Sequence, residues 1–145
     1  MTIIIEQKPE SKLSNQKFVQ HLELDWEDRR KPRQRLTTRE GTEIILALPR
    51  GTVLCDGDLL YESAELNITV QAKAEKVLLI KPKDPVQTCR VAHHLGNWHR
   101  SLQIHDDGLL LAQFDEPMEE WLKREEIAYE KTSSSFHPNC QGADH

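Results

Sequence analysis

No stretch of the chain approaches the roughly eighteen consecutive apolar residues of a membrane-crossing helix, so no helical membrane span is expected. Cysteine is scarce: Cys55, Cys89 and Cys140 are odd in number and far apart, which fits reduced thiols rather than a disulfide framework. The opening residues, Met1 to Glu6, lack the basic region and small-residue cleavage site of a secretory signal, so the expected compartment is the cytoplasm. Positive charge is in deficit. A net charge of −5 argues against nucleic acid as a partner. The one basic run, Arg29 to Arg35, reads as a solvated loop. Catalytic motifs are missing too. There is no glycine-rich phosphate loop and no Gly-x-Ser-x-Gly elbow. Asp56 and Asp58 flank Gly57 and read as turn residues. An enzyme is therefore not expected; a metal-bound hydroxide would still need a general base that no nearby residue supplies.

What is present suits one domain or two small ones: 145 residues, 37% hydrophobic and 30% charged. The first half reads as short strands at Ile3–Ile5, Phe18–Leu24, Arg35–Thr38, Glu43–Leu48, Leu59–Tyr61 and Leu66–Val70. Pro49-Arg50-Gly51 and Asp56-Gly57-Asp58 are turns between them. This predicts a small β-sandwich or barrel over residues 1–75, with its boundary near Gln71–Lys76.

The pattern then changes. Lys76–Lys81 is a buried strand, and Asp84-Pro85 marks a helix start with proline at its first position. That helix is expected over residues 85–99. Strands follow at Ser101–Ile104 and Leu109–Phe114, joined through the Asp107-Gly108 turn pair. A second helix runs from Asp115 to about Glu125, and Ile127–Lys131 is a last strand. The order β-α-β-β-α-β over residues 76–131 is the ferredoxin-like arrangement. The predicted class is thus α+β: an all-β domain, then a ferredoxin-like domain. From Thr132 to His145 no ordered element is expected, leaving a flexible tail that contains His137, Cys140 and His145.

The first helix holds His93, His94 and His99. At about 100° per residue, Val86, Cys89, Ala92, His93 and Gly96 form one face, and Val91, Leu95 and Trp98 another. Two such faces suggest two partners. On this reading Cys89 and His93 pack in the core, and Leu95 and Trp98 lie near a second chain. His94 and His99 are five apart, not the four that lets one helix grip a metal, so they cannot chelate alone. The plainer reading is a helix end at which protonated histidine meets the helix dipole.

His94-Leu-Gly-Asn-Trp-His99 followed by Leu102-Gln-Ile104 resembles the signature of the urease accessory protein E (UreE) family, with Trp98 in place of the usual arginine. A second block agrees: Leu36-Thr-Thr38 and Gly41, then Leu48-Pro-Arg-Gly51, Leu54 and Asp56-Gly-Asp-Leu59. The two blocks stand in the family's order, and the resemblance spans nearly the whole chain. It implies the ferredoxin-like fold independently. It implies a homodimeric nickel-binding metallochaperone, not an enzyme, that delivers Ni²⁺ to apo-urease with the accessory GTPase of that system as partner. The N-terminal domain would contact protein partners.

The resemblance also implies that His99 from two chains holds one ion on the two-fold axis, and that His145 is the metal-binding histidine of the tail. His137 and Cys140, three apart, are further candidate ligands. Imidazole suits nickel, zinc and copper alike, so Zn²⁺ or Cu²⁺ would bind as well. The alternative function is a zinc-, copper- or nickel-buffering or sensing dimer with no delivery role. The chain lacks the polyhistidine end that some family members carry, which argues against metal storage.

Overall fold

The computed structural model describes residues 2–9 and 18–140, in two compact units that divide after Lys73. The first unit is two three-stranded sheets around one apolar core. One sheet places β4 (Glu43–Ala47) between β1 (Thr2–Ile5), which runs parallel to it, and β3 (Arg33–Thr37), which runs antiparallel. The other places β6 (Asn67–Ala72) between the parallel β2 (Val19–Leu24) and the antiparallel β5 (Leu59–Glu62). Alternation sends one set of side chains inward: Ile3 and Ile5, Leu22 and Leu24, Ile44 and Leu46, Ile68 and Val70 share the core.

One helical turn interrupts the β pattern. In α1 (Trp26–Arg29) the Asp25 carboxylate caps the helix start by accepting from the Asp28 N–H at 2.9 Å. This corrects the loop reading of the basic run, although Lys31, Arg33 and Arg35 are exposed as expected. Arg29 is buried, with its guanidinium 5.5 Å from the Trp26 ring centroid, and Arg33 and Arg35 belong to β3.

The second unit is β7 (Glu75–Lys81), α2 (Pro85–Asn97), β8 (Gln103–Ile104), β9 (Leu110–Gln113), α3 (Glu116–Arg124) and β10 (Ala128–Ser134). Its sheet is antiparallel in the order β10-β7-β9-β8, which is the ferredoxin-like topology. Leu78 and Ile80 of β7, Val91 and Leu95 of α2, Leu110 and Ala112 of β9, and Met118, Trp121 and Leu122 of α3 make its core. The β8–β9 turn uses Gly108 at φ +90°, as the Asp107-Gly108 pair predicts.

The chain beyond Lys131 departs from expectation. β10 continues to Ser134, and residues 135–140 pack against the unit rather than trailing from it. Phe136 is fully buried. The Leu102 N–H donates to the Cys140 carbonyl at 2.7 Å, and the Cys140 N–H donates back to the Leu102 carbonyl at 2.9 Å. The Asn139 side chain meets the β8 backbone twice, accepting from Ile104 N–H at 2.8 Å and donating to Ile104 O at 3.0 Å. The sequence pattern had no place for this, because Ser, Pro and Asn are poor strand formers. A buried phenylalanine and one paired amide suffice to lay the segment along an otherwise open strand edge.

Candidate metal site

Helix α2 begins as its sequence dictates. The Asp84 carboxylate accepts from the Gln87 N–H at 2.8 Å, and the Gln87 side chain accepts from the Lys83 N–H at 2.9 Å. This is a close variant of the capping box. Pro85 occupies the first turn, where no N–H is needed.

The helix stops at Asn97, two residues earlier than expected, with Trp98 as its C-cap. His99 is therefore beyond the helix. Its backbone is left-handed, at φ +58°. The His99 N–H donates to Gly96 O at 3.0 Å, and the Arg100 N–H to Leu95 O at 2.9 Å, so the end is a Schellman motif. Glycine usually fills that position, because a Cβ there costs roughly 1–2 kcal/mol. A histidine in its place, exposed on the turn, is a strained residue at a candidate ligand position.

The two faces of α2 are exchanged relative to expectation. Val91 and Leu95 are buried in the unit's own core, and Trp98 is half-buried against it. The face expected to pack is the open one: Cys89 and His93 are exposed, as is Val86 at 69%. Periodicity separates the faces of a helix but does not say which meets the sheet. Here the large residues do, because they fill the space above β7 and β9, and the small residues would not.

His94 is held by aromatic rings. It stacks on Trp121 at a centroid distance of 3.9 Å with planes 6° apart, and meets Trp98 at 4.2 Å and 51°. Its Nε2 is buried with no hydrogen-bond partner. Burial lowers its pKa below the ordinary histidine value; the Arg124 charge adds to this, Glu125 opposes it, and His93 lowers it further. A neutral ring between two indoles is a packing element, not an exposed ligand.

The tail candidates occupy separate positions. The His137 ring contacts the Ser135 hydroxyl at 3.0 Å, and its backbone N–H donates to Gln103 Oε1 at 2.9 Å. Cys140 is an exposed free thiol opposite Leu102. His145 lies outside the described residues. Among the described residues no group of three or more His, Cys, Asp or Glu side chains is gathered to hold a metal. His99, His137 and Cys140 thus do not form a closed site within one chain. Pattern reading missed the left-handed turn at His99 and the Asn139 clamp. Gly96-Asn97, a glycine and an asparagine just before the histidine, was the available signal for an early helix end.

The fold is that of a two-domain α+β protein, with an all-β unit before a ferredoxin-like unit that presents isolated donor side chains at its surface. Comparison with known sequences gives the family. The profile of the N-terminal domain of the UreE urease accessory protein matches residues 2–73, and that of its C-terminal domain matches residues 75–145. The chain belongs to this family. The Urease accessory protein UreE of Paraburkholderia xenovorans is 40% identical over 117 residues, covering 81% of this chain and 52% of the relative. That of Burkholderia ambifaria is 38% identical over 119 residues, covering 82% and 58%. The chain thus spans between half and three-fifths of the length of these relatives. No described helix is long and apolar enough to cross a membrane.

Proposed function

We propose that this chain is a cytoplasmic nickel metallochaperone that serves urease maturation and delivers Ni²⁺ to apo-urease, in concert with the accessory GTPase. It acts as an accessory protein and not as a catalyst. The observation that carries this reading is His99, an exposed imidazole on the turn that ends α2, in a chain whose family is that of the urease accessory proteins.

One histidine per chain makes half a site. A homodimer that brings His99 of two copies together on its axis supplies two neutral imidazoles, a donor set suited to nickel, with Zn²⁺ and Cu²⁺ as competitors. A site left open in this way releases its ion more readily than a closed tetrahedral one. His145 supplies a further ligand from the chain end, and His137 and Cys140 are secondary candidates on the segment that leads to it.

Calorimetric nickel titration with sedimentation tests this. The unaltered protein should bind one tight ion per dimer. His99→Ala should abolish that site while the fold persists, and truncation after Cys140 should weaken binding and flatten its pH dependence, since fewer protons are displaced. Nickel affinity that His99→Ala leaves unchanged would overturn the assignment. Equal affinity and pH slope in the truncated form would remove His145 alone.

A further inference from the structure

Helix α2 carries a second pair of metal donors that the nickel reading does not use. Cys89 and His93 are four residues apart within the helix. That spacing places their Cβ atoms about 5–6 Å apart on one face. Gln87, Val91 and Leu95 turn toward the core, so the Cys89–His93 face looks outward, and both residues are exposed. Cys89 is a free thiol. A shallow cavity of about 430 Å³ lies over this face, walled by Pro85, Val86, Cys89, Arg90 and His93. The Arg90 guanidinium, the one cation in that wall, is engaged by Glu125 Oε1 at 3.0 Å, so its charge is compensated.

A helix that offers two donors at i and i+4 grips one ion, as paired histidines do in metalloenzymes. Here the pair is sulfur and nitrogen. We propose that Cys89 and His93 form a bidentate site for one zinc-class ion per chain, separate from His99. Thiolate and imidazole at about 2.3 and 2.0–2.1 Å are ordinary zinc ligands, and the tetrahedral preference of the ion leaves two positions for water. On binding, the Cys89 thiol releases its proton to solvent, and its sulfur and a neutral His93 nitrogen bind as the hydrated ion sheds four of its roughly six waters to reach the four-coordinate state. No oxidation state changes. Two protein donors leave an open, exchangeable site on an exposed face.

The test uses the full chain with Cys55→Ser, Cys140→Ser and His99→Ala, so that Cys89 is the sole thiol and the paired His99 imidazoles are removed. Titration with Co²⁺ should give a sulfur-to-cobalt charge-transfer band at one ion per chain. Zinc should displace the cobalt and raise the melting temperature, because it binds the folded helix alone. Adding Cys89→Ser should abolish the band. Adding His93→Ala should cut affinity by at least the roughly tenfold that losing even an outer-shell partner costs. Absence of the band, or cobalt affinity indifferent to His93→Ala, would overturn the proposal. Either result would leave the His99 assignment untouched.

Discussion

At the residue scale, two histidines of the same motif do opposite things. His99 tolerates a left-handed backbone that glycine would adopt without cost. We expect His99→Gly to leave the melting temperature unchanged or higher while removing nickel binding. His99→Val places a β-branched side chain at positive φ, where it is worse tolerated than histidine, and should lower the melting temperature. Paired thermal melts decide this; a His99→Gly variant that melts well below the parent would show that the turn carries no strain.

His94 behaves differently because its ring is enclosed by Trp98 and Trp121. Its folded-state pKa is depressed, chiefly by burial, so the unfolded chain takes up the proton first. Stability is therefore full above the ordinary value of about 6.5 and declines as pH falls through that value toward the folded one. Urea melts of His94→Phe should lack this component of the acid decline. If the two profiles fall in parallel below pH 6.5, the histidine is not its source.

Among elements, β8 has only two residues and would be a poor edge without help. The segment through Phe136, Asn139 and Cys140 covers it. Phe136→Ala should destabilise the second unit by about 3–5 kcal/mol, as core aromatic deletions do. Asn139→Ala removes two hydrogen bonds at the surface and should cost about 1–2 kcal/mol. Its clearer signature is local: backbone amide exchange at Ile104 and Cys140 should speed up while that at Ile80 does not. Uniform acceleration across the unit would instead mean that the clamp is part of its global stability.

For the whole molecule, the two units have separate cores, one drawn wholly from residues before Lys73 and the other wholly from residues after it. Residues 1–73 and 74–145, expressed apart, should each fold and melt cooperatively. The second fragment should keep the Cys89–His93 pair, which depends only on its own helix, and should keep the proposed His99 site to the extent that it still pairs with a second copy. A second fragment that shows no cooperative melt would refute this independence.

Local signals along the chain suffice for the α+β class, for the order of every element except α1, and for the division near residue 73. They are alternation in strands, Asp84-Pro85 at a helix start, Asp107-Gly108 at a hairpin. The sequence also carried the family, because the blocks around His99 and Gly51 are contiguous. Other choices are settled in the folded chain. Which face of α2 is buried depends on the volume above β7 and β9, and it moved Val91 and Leu95 inside and Cys89 and His93 outside. Where α2 ends depends on a backbone turn at a residue whose side chain does not advertise it. Whether the segment after Lys131 is ordered depends on a slot for Phe136 and a free strand edge at β8. The helix face and the ordering of the segment are long-range packing decisions, whereas the helix end is a local turn that apolar spacing does not register; hydrophobic periodicity along one segment holds no information about the surface it will meet.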